Sequence, residues 1–268
     1  FELSQQQQQW INEHQVIKVA GDLGWAPIEF RNEQGLHDGL GHDLLLSIAK
    51  LTGITFDFST DVWDKSISQV KDKEKDLLVA TFKTKEREKS LLFSEPYTQL
   101  LNYFFIRNNM NITKIDELNG LRLAITRNSA METDIKRRLP EVRLVYFDSS
   151  QQAIDYIVEG KVDALYDSHA VINYHLTKKA VTNIIPLKTL PKSPIKNLHI
   201  AVRDDYQPLI GIINKALTHI ENTELKSLLT KWVVKAALID KPRVLLTTEE
   251  KKWLINNNHF TFVSDPLW

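Results

Sequence analysis

Apolar positions along the chain follow two alternating rhythms. Val16–Ala20 reads as a strand, followed by the turn Gly21-Asp-Leu-Gly-Trp-Ala-Pro27 and a short strand Ile28–Phe30. Asn32–Gly35 makes a hairpin turn. The spacing of Leu44, Leu45, Ile48, Ala49 and Leu51 predicts a helix over His42–Leu51, with Gly53 as its stop. Strand Ile54–Phe58, helix Trp63–Val70, a continuous apolar strand Asp76–Thr81 and a long apolar strand Leu100–Arg107 follow. After polar Asn108–Lys114, which has the look of a crossover, the rhythm restarts. It gives strand Arg122–Ile125, turn Thr126–Ser129, helix Ala130–Leu139, strand Arg143–Phe147, helix Ser150–Glu159 ended by Gly160, strand Ala164–Tyr166 and helix His169–Lys178. Strand Leu198–Arg203 then returns the chain, and helices Pro208–Ile220 and Glu224–Trp232 close the pattern.

Strands alternating with helices predict α/β layers with mostly parallel sheets. The polar gap at 108–114 and the Pro/Lys-rich stretch 191–196 divide the chain into an outer, discontinuous lobe (16–107 and 198–235) and an inserted lobe (108–197). Two crossings make a hinge.

The ends of the sequence repeat each other. LSQQQQQWINEHQVIKVAGDLGW at 3–25 aligns without gaps to LTTEEKKWLINNNHFTFVSDPLW at 246–268. Leu3, Trp10, Asp22 and Trp25 match Leu246, Trp253, Asp265 and Trp268. Both copies parse as a Ser- or Thr-capped helix, a polar turn and a strand (Val16–Ala20 and Phe260–Val263). Residues 1–15 therefore read as a linker helix, and 236–268 as a linker and the start of a second unit. The glutamines at 5–9 read as a polar helix face.

Composition narrows the function. With 268 residues there is enough chain for two lobes with a core each. The formal net charge is zero, which argues against nucleic acid as a partner. The cluster Lys71–Asp76 alternates in sign and reads as a solvated turn. There is no cysteine, so thiol catalysis, disulfides and Cys-ligated metals are excluded. No apolar run approaches the roughly 20 residues of a membrane span. Phe1-Glu2-Leu3-Ser4 does not begin a signal peptide, so the sequence reads as cytosolic or as a mature or excised piece. The eight histidines show no metal spacing; His169 and His175 point to different helix faces, and His37 and His42 flank a turn. No nucleophile elbow, P-loop or dinucleotide fingerprint occurs. Glu29, Asp38 and Asp43 read as caps and salt-bridge partners, not acid–base machinery. No cofactor and no metal is expected.

Several segments together resemble a known family. Val19-Ala-Gly-Asp-Leu-Gly-Trp-Ala-Pro-Ile-Glu-Phe30 is similar to the opening strand and turn of type II periplasmic binding proteins of the polar amino-acid group (extracellular solute-binding family 3). Gly39-Leu-Gly-His-Asp-Leu44 resembles their GxxxDL helix start. Thr84-Lys-Glu-Arg87 with Phe93-Ser-Glu-Pro-Tyr97 resembles TxER…FSxPY, the most specific of these signals. Gly160-Lys-Val-Asp-Ala164 resembles GxxDA, and Trp232 stands where the family's closing tryptophan falls. The resemblance covers roughly 14–235. It implies an α/β, two-lobed periplasmic-binding-protein type II fold (a Venus flytrap) with a central cleft and a two-crossing hinge. The repeated linker resembles the joints between tandem flytraps of bacterial sensors, such as virulence-sensor-type hybrid histidine kinases and some diguanylate cyclases. That implies a periplasmic unit of an inner-membrane protein, with a second flytrap in the same chain and membrane contact only through the rest of the protein.

The resemblance also implies a site. The arginine of TxER, here Arg87, pairs with a ligand carboxylate in the family; otherwise Arg87 pairs with Glu86 or Glu88 at the surface. A guanidinium suits the first role because its planar fork of donors matches two carboxylate oxygens. Trp25 stands where an aromatic packs on the ligand, or belongs to the lobe core. Asp22, in the same loop, would reach a cationic group. Ala80 and Phe82 precede Arg87 on the ligand-facing strand, and Asn128, Ser129 and Ala130 form the anion-binding turn. Two departures stand out. Phe82 occupies a position that often carries a hydroxyl. The amine-binding aspartate lies five residues after the GxxDA aspartate, which is Ser168 here, with Asp167 one short. The expectation is a small carboxylate-containing solute, sensed by lobe closure. The alternatives are a transport-type binding protein, a flytrap that binds no solute, and a dehydratase-like enzyme on the same scaffold.

Overall fold

A computed structural model describes residues 1–187, 195–220 and 222–234, with Glu249, Trp253 and Asn256 beyond them in helical backbone. The strand expected at 260–263 lies outside the described residues, as does most of the helix before it. The chain opens with α1 (Gln5–Glu13), whose capping box joins Ser4 and Gln7. Strands β1 (Val16–Asp22), β2 (Gly24–Trp25), β3 (Glu29–Arg31) and β4 (His37–Asp38) lead to α2 (Leu40–Thr52). As predicted, α2 ends at Gly53, whose left-handed φ of 76° lets its N–H reach the Ala49 carbonyl. Next come β5 (Thr55–Asp61), α3 (Trp63–Lys71), β6 (Leu77–Phe82), β7 (Leu91–Phe93) and β8 (Thr98–Arg107). Then follow β9 (Arg122–Thr126), α4 (Glu132–Arg138), β10 (Arg143–Phe147), α5 (Ser150–Val158), β11 (Ala164–Ser168), α6 (His169–Lys178) and β12 (Ile184–Pro186). Finally β13 (Ile195–Arg203), α7 (Gln207–His219) and α8 (Asn222–Leu229) close the described fold.

Ten strands form one sheet: eight follow the order β10-β9-β11-β8-β13-β6-β1-β5, and off that path β12 pairs with β8 and β7 with β13. At each end the pairs are parallel (β1 with β5 and β6; β9 with β10 and β11), whereas β8 and β13 run antiparallel to their neighbours. Strand β8 serves both halves. Its residues 98–101 pair with β13, and 102–106 pair with β11. The passage between lobes thus falls inside this strand, several residues before the polar stretch at 108–114 that the sequence suggested. Phe104, Phe105 and Ile106 lie in the core of the inserted lobe.

Strand alternation explains how each sheet buries both faces. Val19, Leu77 and Val79 face α2 and α7, while Ala20 and Leu78 face Trp63, Ile67 and Val70 of α3. In the inserted lobe Leu123 and Ile125 join Phe104 and Ile106 on one side, and Ala124 joins Phe105, Ile154 and Ile157 on the other. The lead helix belongs to the outer lobe. Ile11 is buried in its core, and the Trp10 ring stacks on His14 at 4.2 Å and meets Tyr206 edge-on at 5.3 Å. Among the described residues no helix is long and apolar enough to cross a membrane.

Candidate functional site

Loops at the strand ends of both lobes converge on a cavity lined by Asp22, Trp25, Trp63, Ala80, Thr81, Phe82, Arg87, Thr126, Ser129, Ala130 and Asp167. Eight of the ten residues expected from the sequence are therefore brought together: Asp22, Trp25, Ala80, Phe82, Arg87, Ser129, Ala130 and Asp167. Asn128 stands beside the cavity and acts through its backbone. Ser168 does not reach it. It is fully buried at the start of α6, with its hydroxyl unpartnered among the described residues and its N–H donated to Asp167 Oδ1 at 2.6 Å. Of the two spacings the sequence left open, Asp167 is the residue in the cleft.

Arg87 sits on a single 3-10 turn and is 5% exposed. Its Nη1 donates to Thr81 Oγ1 at 3.0 Å and to the Phe82 carbonyl at 2.9 Å. Its Nη2 donates across the cleft to the Asn128 carbonyl at 3.0 Å, and the guanidinium lies 5.1 Å from the centroid of the Trp63 ring. The surface pairing with Glu86 or Glu88 does not occur: Glu86 pairs with Lys89, and Glu88 with Lys83. Every hydrogen-bond acceptor around Arg87 among the described residues is neutral. Burial without a counter-charge lowers its pKa to about 10.

The lobes are shut on each other. Trp25 Nε1 donates to Asp167 Oδ1 across the cleft at 3.1 Å, and Trp63 Nε1 approaches the same Asn128 carbonyl at 3.4 Å. The Asn128 amide also donates to Asp64. Gly24 passes so close to Ser149 that a Cβ would lie 2.7 Å from its side chain. The cavity left between the lobes is about 60 Å³, room for a few waters. Trp25 meets Phe82 edge-on at 5.8 Å, so both aromatics expected to shape the pocket do line it.

Two acids face this space. Asp167 accepts from Ser150 Oγ, the Ser168 N–H and Trp25 Nε1, while burial raises its pKa. Asp22 accepts the Gly24 N–H at 2.7 Å. Burial, then the neighbouring charges of Glu29 and Asp167, push its carboxyl well above the usual range.

The anion-binding turn departs from expectation. Helix α4 begins at Glu132, not at Ala130. Ser129 Oγ accepts the Met131 N–H at 3.2 Å, and the Ser129 N–H is given to Thr126, so a hydroxyl turn replaces the first helical turn. Asn128 adopts φ 57°, which turns its carbonyl to Arg87. Among the acids read as caps and pairs, Asp43 accepts from Lys231 and from Trp232 Nε1, and Asp38 accepts the Gly39 N–H. Glu29 caps no helix but stands at ion-pair distance from His37, with Oε2 3.5 Å from Nε2, in the buried interior. Among the described residues no three ligating side chains cluster to hold a metal.

Sequence reasoning missed Trp63, Thr81 and Thr126. Trp63 opens a helix just after a strand, the same kind of place that singled out Trp25. The hydroxyl sought at Phe82 is supplied one residue earlier, by Thr81, and it is spent on Arg87.

Comparison with known proteins places this geometry. The virulence sensor protein BvgS of Bordetella pertussis is 28% identical over 239 residues, covering 85% of this chain. The sensor protein EvgS of Escherichia coli K12 is 26% identical over 238 residues, covering 87%. This chain spans only 19% of the length of either sensor. The crystal structure of the BvgS periplasmic VFT2 domain superposes with a TM-score of 0.77 at 27% identity, covering 86% of this chain and 99% of that one. The fold is thus that of a type II periplasmic-binding-protein flytrap. Residues 17–235 match the bacterial extracellular solute-binding proteins, family 3, and the chain belongs to that family.

Proposed function

We propose that this chain is a periplasmic ligand-sensing unit of an inner-membrane sensor, and that it binds a small carboxylate-containing solute in the interlobe cleft. The observation that carries the reading is Arg87: a buried guanidinium, flanked by Trp63, that meets only neutral acceptors. A carboxylate would supply the missing charge and both acceptors for its fork of donors. It would replace the Asn128 carbonyl, so binding and lobe geometry are coupled through one side chain. Asp167 and Asp22 lie on the cavity wall as acceptors for an ammonium, which favours an amino acid over a plain organic acid. Signalling then follows from differential affinity for two lobe arrangements, passed to a second flytrap of the same chain. The repeat of residues 3–25 at 246–268 supports that tandem arrangement, as does the likeness to two sensor proteins.

One observation favours a second reading. The cleft is closed on its own contacts, and the remaining cavity is far below the roughly 300 Å³ at which small-molecule sites begin. A flytrap locked shut by Trp25–Asp167 and Arg87–Asn128 would act as a structural member of the array. A thermal-shift screen against amino acids, dicarboxylates, aromatic acids and polyamines separates the two. A ligand at 100 times its Kd adds about 2.7 kcal/mol of stability. Carboxylate-containing hits support the sensing unit; no shift at millimolar concentrations supports the locked one.

A further inference from the structure

Glu29 on β3 is fully buried, and neither of its carboxylate oxygens has a hydrogen-bond partner among the described residues. The Asp22 backbone N–H faces it closely enough to favour the charged form without completing a bond. Behind it His37 Nε2 stands 3.5 Å from Oε2, also buried and without a bond. That is ion-pair distance, yet burial drives both groups toward neutral: the Glu29 carboxyl is pushed up to about 8 and the His37 imidazole down to about 4. Two groups buried at this distance without a hydrogen bond favour the neutral pair, which puts the proton on Glu29.

The pair has two outlets. Outward, His37 Nδ1 lies 3.3 Å from Nδ1 of His42 on α2, which borders an open cavity of about 590 Å³ shared with Asp38, Asp43 and Phe58. Inward, Gly21 packs directly on the His37 ring, where a Cβ would lie 2.5 Å from Cδ2, and the next residue is Asp22 of the cleft. The titratable and charged groups around Glu29 are Asp22 on β1, His37 and Asp38 on β4, His42 on α2 with Asp43 and Lys231 beyond it, and Tyr97 before β8. Tyr97 gives its hydroxyl to the Val79 carbonyl and so is not a donor to Glu29. Asp167 joins from the other lobe, facing Asp22. Asp22 thus feels both Glu29 in the lobe interior and the half-buried Asp167 across the cleft.

We infer that Glu29, backed by His37, is a positioning residue of the cleft that holds a proton in the free protein and releases it through His42 when a solute's ammonium group settles beside Asp22. The inference rests on the proposed solute-binding reading. Before binding Glu29 is a carboxylic acid and His37 neutral; after binding Glu29 is a carboxylate, His37 is neutral again, and one proton is in solvent. The positive charge of the solute replaces that of the proton. Release on binding makes affinity rise with pH, by up to about tenfold per pH unit while one full proton is released.

Titration calorimetry with arginine, which brings one carboxylate and two cationic groups, tests this. In phosphate and in Tris at pH 7 the wild type should give enthalpies that differ by about one proton's worth of buffer ionisation. Glu29→Gln should bind with the same stoichiometry, show no buffer dependence, and lose the rise of affinity between pH 5 and 8. Equal enthalpies in the wild type, or release that persists in E29Q, overturn the inference while leaving solute binding intact. If arginine does not bind, or E29Q does not fold, infrared spectra of the free wild type labelled with carbon-13 only in its glutamates decide the matter. One glutamate carboxyl should remain protonated above pH 6; if every glutamate has ionised by then, the inference falls.

Discussion

Arg87 Nη2 and the Asn128 carbonyl oxygen lie 3.0 Å apart across the cleft, although 41 residues separate them in the chain. This bond and the Trp25–Asp167 bond fasten the two lobes where a solute would enter. A solute and the opposite lobe therefore compete for the same donors. On the sensing reading proposed above, closure without a solute and closure around one are alternative ways to satisfy Arg87, Trp25 and Asp167, and the balance between them would set the response.

Trp25→Phe keeps a ring against Phe82 and removes the indole N–H from Asp167. Asp167 then retains Ser150 and the Ser168 N–H only. The loss should cost the closed state about 1–3 kcal/mol. Small-angle X-ray scattering should report a larger radius of gyration for the variant; an unchanged radius would show that this bond does not hold the lobes.

The aspartate of the Gly160–Ala164 segment is structural. Asp163 accepts the backbone N–H and Nε of Arg122, both at 2.9 Å, and Nη2 at 2.8 Å. The Arg122 hydrogen bonds hold its carboxyl below its ordinary value of 3.8, against an opposing effect of partial burial. The folded value lies under the unfolded one, so the stabilisation is full above pH 3.8 and is lost as pH falls through the lower folded value. Acid denaturation followed by circular dichroism should begin at higher pH in Asp163→Asn, which should also lose about 1 kcal/mol at neutral pH. Identical acid limbs would contradict this.

Gly21 is required by His37. Gly21→Ala places a methyl group 2.5 Å from the imidazole in a packed interior and should cost about 1–3 kcal/mol. Adding His37→Ala should recover part of that cost, a coupling readable in a double-mutant denaturation cycle. Strict additivity would place the clash elsewhere.

Local rules carried most of the architecture. The continuous apolar run Leu77–Val79 and the stop at Gly53 need no tertiary information, because burial on two faces and a left-handed φ are set by a few neighbouring residues. The site was legible only in part. Arg87 and Phe82 follow from their motif, but the choice between Asp167 and Ser168 depended on where β11 ends and α6 begins, a boundary that spacing alone does not fix. The helix start after Asn128 was misplaced because the Ser129 hydroxyl competes for a backbone donor. The polar gap at 108–114 suggests a crossover, and its polarity carries no sign that the strand before it, β8, pairs with both halves of the sheet. Glu29 reads from sequence as a cap or salt-bridge partner, and nothing in its spacing announces that its partner His37 is buried with it.

The most direct test is calorimetric titration of a carboxylate-containing hit against wild type and Arg87→Ala. Removing two charge-assisted hydrogen bonds, each worth about 1.5–3 kcal/mol, should weaken binding by at least about 100-fold, while circular dichroism stays that of the folded protein. Unchanged affinity in the variant would contradict the assignment of the cleft as a carboxylate site.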